Sequence, residues 1–401
     1  MLYLSTASGS GGVFKAGPQD FIVKEITTKG RIPIPDQSYD AQQLGEQESP
    51  EGKFTTFVLQ KRSWDTVQLL LRMAKMMGHG KKSIGYCGVK DKQSISVQLA
   101  SIFGVEPAQV MGLRIRDMKV NGAWKSAGAV ELGSNVGNSF TAVIRGCSKP
   151  ENAARVIDEL DGRMPNYFDR QRFGLRMNNH EVGMLIMHGD FRGAVMKFLT
   201  DTSNERNEAC IAARKRLAQE QDFRAALGYF PAGMRNERSV IEYMSRYDNP
   251  ANALRKLPRG VLLMFVHSVQ SMVFNAALES RIKAADFESP LRCTENFYGF
   301  PDLNALSPAG RFPLGALAGY TTDEKAMSAY DKQALSQAGL AREDFKIASM
   351  PEVSAKGSTR PLIVPAKDLK CHMDGSDLKV DFSLPTGSYA TILLLEITKA
   401  V

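Results

Sequence analysis

Residues 85–98 read Gly-Tyr-Cys-Gly-Val-Lys-Asp-Lys-Gln-Ser-Ile-Ser-Val-Gln, a charged, glycine-containing loop that runs into an alternating segment typical of a strand. Its centre is Lys90-Asp91-Lys92. Most such segments are solvated turns, because Asp favours turns and lysines favour water. The functional alternative is a carboxylate in a basic groove, where a nearby cation keeps the carboxylate ionised and attracts an anionic polymer.

The chain on both sides of this loop predicts mixed α and β structure. Strand-forming residues, including those of the loop's own strand, occur at 54–59, 94–99, 113–116 and 139–145. An apolar face predicts a helix over 64–77, with Ser63 as its N-cap and Gly78 after its last turn. A shorter helix is predicted to begin at Pro150 and to end near residue 161.

The pattern becomes helical in the middle of the chain. From residue 178 onward, helices are predicted at 178–188, 190–200, 203–226, 236–246 and 261–283. Residues 291–350 are expected to mix turns with short strands. Residues 378–384 predict a strand, and the apolar segment 389–397 looks strand-like, with a terminal helix as the alternative. β-rich ends around a helical middle predict a discontinuous domain with an insertion.

Composition indicates a globular protein and favours an anionic partner, although many basic proteins bind no nucleic acid. It has 401 residues, of which 43% are apolar, and a net charge of +8. That apolar fraction can fill cores, so general disorder is excluded, and the basic charge favours nucleic acid as a partner. The longest apolar run, 261–266, is far shorter than the roughly 20 residues of a membrane helix, so we expect no membrane segment.

Cysteine and histidine patterns indicate neither a metal site nor a disulfide framework. The five Cys include no C-x-x-C pair, and the five His include no H-x-x-x-H pair. Neither a G-x-G-x-x-G nor a Walker phosphate loop occurs, so we expect no cofactor. A reduced, cytoplasmic setting fits this cysteine usage and the lack of a secretory signal.

Three further segments, 15–26, 166–174 and 384–391, combine residue types that bind RNA. The second reads Asn-Tyr-Phe-Asp-Arg-Gln-Arg-Phe-Gly. Aromatic rings stack on unstacked bases, Arg holds phosphates, and Asn or Gln reads base edges. Taken singly, each segment also fits an ordinary strand, loop or turn.

Together these segments resemble the TruD family of RNA pseudouridine synthases. The family's motifs occur in the family's order, at Lys15–Phe21 (K-x-x-P-x-D-F), Gly88–Gln98 (G-x-K-D-K-x-x-x-x-x-Q), Asn138–Phe140 (N-x-F), Asn166–Gly174 (N-Y-F-x-x-Q-R-F-G) and Ser388–Thr391 (S-Y-A-T). Ser268–Leu278 and 357–365 also resemble family segments. Five ordered motifs across nearly the whole chain are hard to obtain by chance.

The chain departs from the family's pattern at three positions. Asp169 follows Asn-Tyr-Phe where the family commonly has Gly. Tyr389 stands where bacterial members have Phe, as in the archaeal and eukaryotic branch, and Leu395 replaces an Arg often found before the terminal Glu. These changes bear on substrate details and leave the main candidate residues unaltered.

The resemblance implies an α+β fold. A pseudouridine synthase catalytic core, with a mixed, mostly antiparallel sheet and flanking helices, would be interrupted by a largely helical α/β insertion domain. We expect the discontinuous catalytic domain at 1–184 plus 356–401 and the insertion domain at 185–355. This matches the β-rich ends and helical middle read from the residues themselves.

The resemblance also implies an activity, the isomerisation of a uridine to pseudouridine in tRNA, usually uridine 13. The partner would be a structured RNA with an accessible uridine, bound by a monomer without a metal or another cofactor. Asp91 is the expected catalytic nucleophile, and Lys15 the cation beside it. The sequence leaves open whether Asp91 attacks C1′, adds to C6 or assists glycal formation.

Substrate-binding roles follow from the same resemblance. Asn166 would orient the carboxylate or the base, and Phe168 would stack on the target uracil. Phe21 and Tyr389 are expected to wall the pocket. The expected phosphate contacts are basic residues of two loops, Lys81, Lys82, Arg170 and Arg172, with Lys90 and Lys92 as further candidates.

Two other functions stay open at the level of sequence. A nucleoside or glycosyl hydrolase would use Asp91 with a second carboxylate as acid, and Glu25 is the candidate for that second role. A non-catalytic RNA-binding protein on the same fold is the alternative from another class. The basic charge does not separate these functions.

Overall fold

The computed structural model describes residues 1–287, 289, 292–293 and 312–400, which form both strands and helices. The strands are β1 Val13–Phe14, β2 Phe21–Ile26, β3 Phe54–Arg62, β4 Ile84–Tyr86, β5 Ile95–Phe103, β6 Met118–Ser126, β7 Gly137–Arg145, β8 Arg163–Pro165, β9 Arg292–Cys293, β10 Phe312–Leu317, β11 Ser358–Pro361, β12 Ile363–Pro365, β13 Lys367–Asp374 and β14 Asp377–Pro385. The α-helices are α1 Thr66–Met76, α2 Pro107–Met111, α3 Glu151–Leu160, α4 Asn179–Met187, α5 Phe191–Thr200, α6 Glu208–Glu220, α7 Phe223–Tyr229, α8 Arg235–Met244, α9 Pro250–Leu254, α10 Arg259–Ala284, α11 Ala329–Gln337 and α12 Ala390–Thr398.

One large mixed sheet carries most of the strands. Within the described residues it has nine strands, with the path β13-β14-β7-β2-β5-β3-β6, β1 beside β7 and β4 beside β5. β2 and β5 run parallel, and the other pairings in this sheet are antiparallel. The predicted α+β class with a mixed, mostly antiparallel sheet is therefore confirmed.

The described residues divide into two compact units. One contains Tyr3–Pro165 and 363–400, and so holds the large sheet and the small β8–β12 pair. The other contains Met1–Leu2, Asn166–Cys293 and Phe312–Leu362, and is mostly helical apart from the three-stranded sheet β11-β10-β9. The predicted domain boundaries at 184/185 and 355/356 stay a prediction.

Helix α10 is the centre of the helical unit's core. Its Phe265, Val266 and Val269 are buried in one apolar cluster with side chains of α4 and α5. Among the described helices, α10 has the length and composition that could cross a membrane, and 61% of its most apolar stretch is buried inside the protein. Such burial is typical of a core helix, which is apolar on all sides because every side is covered. The predicted helix at 261–283 is confirmed.

A helix-cap prediction and a strand prediction in the N-terminal part need correction. Asp65, not Ser63, caps α1, because its side chain accepts a hydrogen bond from the Gln68 N–H at 2.8 Å. Residues 113–116 do not form a strand. They form the exit of α2, where the Arg114 guanidinium donates to the Met111 and Leu113 carbonyls. The strands predicted at 54–59, 94–99 and 139–145 are confirmed, with each end within four residues of the prediction.

Helices in the second half were also only partly predicted. The single helix predicted at 203–226 is two helices, because Gln221 adopts a left-handed conformation and Asp222 caps α7. Helix α11 lies where turns and short strands were expected, while residues 294–311 of that prediction lie outside the described residues. The terminal segment is the helix α12. Its buried apolar residues surround the helix. The apolar positions in the sequence therefore show neither the alternation of a strand nor the 3.6-residue period of an amphipathic helix.

Removing the Asp65 cap is expected to destabilise the sheet-containing unit. In Asp65→Ala the Gln68 N–H loses its acceptor, which should lower the free energy of unfolding by about 1 kcal/mol. Urea denaturation measures this loss. Asp65→Asn, which keeps a side-chain oxygen, should lie close to wild type, and Ser63→Ala should change stability less than Asp65→Ala. A larger loss in Ser63→Ala would contradict the cap assignment.

Candidate active site

One edge of the large sheet gathers the charged loops singled out in the sequence. β2 and β5 are parallel neighbours, with Ile22 opposite Ile95, so the segments that enter both strands arrive at the same edge. β3, antiparallel to β5, ends at this edge with Arg62 opposite Ile95. Lys15 precedes β2 and Asp91 precedes β5. The strand directions thus bring together two residues that are 76 positions apart.

Lys15 and Asp91 form an ion pair at this edge. Lys15 Nζ donates to Asp91 Oδ2 at 2.6 Å and lies 4.0 Å from the centroid of the Phe21 ring. The Asp91 side chain is 28% exposed and the Lys15 side chain 15%. Because shielding from water strengthens the attraction between charges, the lysine orients the carboxylate. The three residues predicted here, Lys15, Phe21 and Asp91, are therefore brought together around a reachable carboxylate.

A short turn fixes the backbone between Lys15 and Phe21. The Asp20 carboxylate accepts from the Gly17 N–H at 2.8 Å, and Arg145 Nη2 donates to its other oxygen at 2.5 Å. The hydrogen bond from Arg145 holds the pKa of the buried Asp20 below its usual value. Lys15 itself has a φ of 60°, in the left-handed region that non-glycine residues rarely adopt.

The backbone of the Asp91 loop is held from inside the sheet. Buried Lys61 donates from Nζ to the Asp91 carbonyl at 2.9 Å and to the Lys90 carbonyl at 3.3 Å. Ser94 Oγ donates to the same Asp91 carbonyl at 2.7 Å. The two bonds from Lys61 give its buried ammonium group the hydrogen-bond partners that burial requires. They also restrict the loop at the residue that carries the carboxylate.

A second ion pair, between Glu25 and Lys90, lies beneath the loop. Lys90 Nζ is 2.7 Å from one Glu25 oxygen, with side-chain exposures of 4% and 0%. The other Glu25 oxygen accepts from the Leu99 N–H at 3.0 Å. Breaking a buried pair by removing one partner typically costs about 3–5 kcal/mol, because the remaining charge is left uncompensated. The pair therefore joins β2, β5 and the loop.

The expectation that Lys90 faces phosphate is wrong. Alternation along β2 places Glu25 on the same buried face as Phe21 and Val23, and a buried carboxylate requires a cation. Lys90 supplies that cation. Lys92 is exposed, so the two lysines on either side of Asp91 have different environments.

Burial shifts the pKa of two groups near the loop. It lowers the pKa of Lys61 to about 8, against the opposing effect of the Asp91 and Asp65 charges and with a further lowering by Lys90. It raises the pKa of the Cys87 thiol to about 12, and the Glu25 charge adds to this. Cys87 is thus a protonated thiol at neutral pH, which is not the form that acts as a nucleophile.

Asn166 and Phe168 belong to the helical unit, where Arg360 connects them. Asn166 Oδ1 accepts from Arg360 Nη2 at 2.7 Å, and its Nδ2 donates to the Pro361 carbonyl at 3.0 Å. The Arg360 guanidinium carbon lies 4.0 Å from the centroid of the Phe168 ring. Asn275 exchanges two hydrogen bonds with the Phe168 backbone, at 2.8 and 2.9 Å. The Asn-Tyr-Phe segment is thus rigidly held, and Phe168 is 7% exposed.

The remaining predicted site residues differ in their exposure to solvent. Lys81 and Lys82 are exposed in the short turn before β4, and Arg170 is exposed in the turn after Phe168. Arg172 is half-buried and donates from Nε to Ser271 Oγ at 3.1 Å. Tyr389 is half-buried at the start of α12.

Sequence reasoning missed Lys61 and the structural role of Glu25. The signal is the period of two along a strand. It places Lys61 on the face of β3 that carries buried Phe57 and Leu59, and Glu25 on the face of β2 that carries buried Val23. A charged residue in phase with buried apolar residues predicts a buried charge that must be paired.

Metal-ligating side chains do not cluster in the part of the chain that the structure describes. No group of three or more His, Cys, Asp or Glu residues is arranged there to hold a metal ion. The groups that the structure does bring together at the sheet edge are a carboxylate, its lysine partner and an aromatic ring.

Solved structures with this architecture include a crystal structure titled as the putative tRNA pseudouridine synthase D (TruD) from Methanosarcina mazei. It matches with a TM-score of 0.77 at 30% sequence identity, over 100% of this chain and 96% of the other. The sheet, the helical second unit and the motif order therefore define the fold of a pseudouridine synthase.

Sequence comparisons specify the family. The model of the family described as tRNA pseudouridine synthase D (TruD) matches residues 1–293 and 304–397. The tRNA pseudouridine synthase D of Geobacter sulfurreducens is 32% identical over 98% of this chain and 95% of its own length. A probable tRNA pseudouridine synthase D of Methanosarcina acetivorans is 28% identical over 99% and 95%. The chain belongs to the tRNA pseudouridine synthase D family.

The low pKa of Lys61 predicts a specific pH dependence of stability. The folded-state pKa is about 8, against an ordinary value of 10.5, so between these values the unfolded chain binds more protons than the folded protein. Wild-type stability should therefore rise across this window relative to Lys61→Met, by roughly 3 kcal/mol in total. Urea unfolding over the window measures this rise.

Lys61→Arg is the matched control, because an Arg stays charged throughout this window. It should show the same pH slope as Lys61→Met, whatever its absolute stability. Equal slopes in wild type and both variants would contradict the shifted pKa.

Proposed function

We propose that this chain is a tRNA pseudouridine synthase that converts uridine 13 of tRNA to pseudouridine with Asp91 as nucleophile. The observation that carries the proposal is the 2.6 Å ion pair between Lys15 and the reachable Asp91 carboxylate. The two residues come from the first two family motifs, and they meet at one edge of the sheet. Uridine 13 is proposed because it is the usual target of the family that the sequence resembles.

The proposed isomerisation needs little chemical equipment. The N1–C1′ bond of the uridine breaks and a bond from C5 to C1′ forms. The hydrogen on C5 leaves as a proton and N1 gains a proton, so no oxidant, reductant or water is consumed. A carboxylate nucleophile can divide such a transfer into two easier steps. Asp91 is the proposed nucleophile, and Lys15 keeps it ionised.

The other residues of the sheet edge act by holding Asp91 in place. Lys61 and Ser94 restrict its backbone. Phe21 supports Lys15 through the contact of its ring with the ammonium group. A carboxylate whose backbone and counter-ion are both fixed loses less freedom on reaching the reactive geometry, which favours reaction.

A uridine inside folded RNA must leave its stack, at a cost of a few kcal/mol. We propose that Phe168 stacks on the extruded uracil, an interaction worth roughly 1–3 kcal/mol. Arg360 and Asn275 hold Phe168 on both its ring and its backbone. We propose that Asn166 orients the base and that Tyr389 lines the pocket.

The polyanionic substrate is supported by charge. The chain carries a net charge of +8, and Lys81, Lys82 and Arg170 are exposed basic residues of the predicted phosphate contacts. We propose that these residues contact tRNA phosphates. The monomeric state and the cytoplasmic setting stay predictions.

The hydrolase alternative lacks its second carboxylate at the expected position. Glu25 is fully buried, and its two oxygens are engaged by Lys90 and by the Leu99 N–H. A general acid must reach the leaving group within hydrogen-bond distance, which a carboxylate in this position cannot do. The geometry therefore favours a reaction with one carboxylate.

Asp91→Asn is expected to abolish turnover. The amide keeps the size of the side chain and removes the nucleophile, so the rate should fall about a thousandfold or more. The assay is release of tritium from tRNA labelled at uridine C5, because bond formation at C5 expels that hydrogen. Filter binding should show that tRNA affinity is kept.

Asp161→Asn is the matched control, because Asp161 is exposed at the end of α3 in a left-handed conformation that Asn tolerates. Its tritium release should equal that of wild type. Substantial release by Asp91→Asn would remove Asp91 as nucleophile. Absence of release by wild type from all tRNAs, with binding intact, would support the non-catalytic alternative.

Phe168→Leu is expected to lower turnover more than tRNA affinity. Leu keeps the apolar character of the buried position and loses the stacking face, so kcat should fall by about tenfold or more. Single-turnover tritium release and filter binding separate the two effects. Phe274→Leu, which changes the ring packed edge-on against Phe168, is the control for repacking. Equal losses in both variants would reduce Phe168 to a packing residue.

A further inference from the structure

A surface cavity of about 580 Å³ lies at the C-terminal end of helix α8, inside the helical unit. Its volume is within the roughly 300–1,000 Å³ of typical small-ligand sites. The residues that line it are Ser239, Glu242, Tyr243, Arg246, Tyr247 and Lys256. None of them belongs to the five sequence motifs or to the Lys15–Asp91 site.

Two tyrosines form an aromatic platform in this cavity. Tyr243 and Tyr247 are one helical turn apart, and their ring centroids are 5.0 Å apart. Tyr243 packs against the apolar cluster of the helical unit, which fixes it. Tyr247 is 57% exposed. The pair thus presents a supported aromatic surface to solvent, and stacking on such a surface is how proteins bind unpaired bases.

Two basic side chains, those of Lys256 and Arg246, also line the cavity. Lys256 Nζ lies 4.9 Å from the Tyr243 ring centroid, and within the described residues no carboxylate comes within 4.0 Å of it. Arg246 pairs with Glu242 at 2.8 Å, and both side chains are more than half exposed. An exposed pair of this kind is weak, so a phosphate can compete for the arginine. Residues 235–259 contain six Lys or Arg and three Asp or Glu.

We propose that this cavity is a second RNA-binding site, which takes one unpaired nucleotide of the substrate. The base stacks on Tyr247, and Lys256 and Arg246 contact the adjacent phosphates. The inference rests on the proposed function, since it assigns to the same RNA substrate a contact with a second nucleotide. The joint presence of an aromatic platform and basic side chains favours RNA over an apolar protein segment, which would leave the cations unpaired.

Tyr247→Ala in the full chain tests the stacking contact. Removing the ring should raise KM for tRNA five- to tenfold. It should leave kcat unchanged, because Tyr247 does not belong to the Lys15–Asp91 site. Tyr247→Phe keeps the stacking surface and should behave as wild type. Initial rates of tritium release give both constants, and thermal melting checks that each variant is folded.

Lys256→Ala tests the phosphate contact. Loss of one phosphate contact should weaken tRNA binding at all salt concentrations and reduce the slope of log affinity against log salt by about one. Lys215→Ala, at an exposed lysine on α6 of the same unit, is the control for the loss of a positive charge and should leave the slope unchanged. Filter binding at several salt concentrations measures both.

The outcomes separate this inference from the proposed function. If wild type binds tRNA without releasing tritium, the proposed function fails, while weaker binding by Tyr247→Ala and Lys256→Ala still supports the second site. If wild type releases tritium and both variants keep the wild-type KM and salt slope, the second site is overturned and the activity stands. If wild type does not bind tRNA, both fail.

Discussion

The geometry of the candidate site depends on the parallel pairing of β2 and β5 within an otherwise antiparallel sheet. Each residue of a strand advances the chain by roughly 3.3 Å, so an antiparallel β2 would carry Lys15 to the opposite end of the sheet from Asp91. The Glu25–Lys90 pair stabilises the correct arrangement, because any register that separates these residues leaves two buried charges unpaired. Strand direction and a buried ion pair therefore jointly determine where the Asp91 carboxylate lies.

The two ion pairs at this edge have different consequences because they differ in exposure. Glu25 and Lys90 are shielded from water, and their pair stabilises the arrangement of the chain. Lys15 and Asp91 remain partly exposed, so a substrate can reach the carboxylate. Lys61 adds a third cation whose hydrogen bonds go to backbone carbonyls.

The sequence was most informative where the order of the motifs along the chain and the chemistry of their residues indicated the same function. The motifs around Lys15 and Asp91 predicted a shared site, and the strand directions explain why they meet. Burial was harder to predict, because Lys90 and Lys92 have the same chemistry and opposite environments. Position 25 in β2 could have been predicted from alternation with Phe21 and Val23, as a charge that requires a partner.

Secondary structure was misassigned where local patterns are ambiguous. Helix α12 is buried on all sides, so its sequence carries no amphipathic period. Both Ser63 and Asp65 are good N-cap residues, and only the backbone shows that Asp65 caps α1. Asn166 and Phe168 illustrate a further limit: a motif indicates candidate residues, but the contacts with Arg360 and Asn275 depend on distant parts of the chain.

The left-handed backbone of Lys15 means that backbone stability and the proposed activity favour different residues at position 15. A non-glycine residue in this conformation is destabilised by roughly 1–2 kcal/mol, and glycine would relieve most of that strain. Glycine would also remove the cation beside Asp91. The stability of Lys15→Gly would reflect both the relieved strain and the lost contacts with Asp91 and Phe21, whereas a selection for the proposed activity would retain the strained lysine. Stabilised variants of this protein should be screened with position 15 held constant.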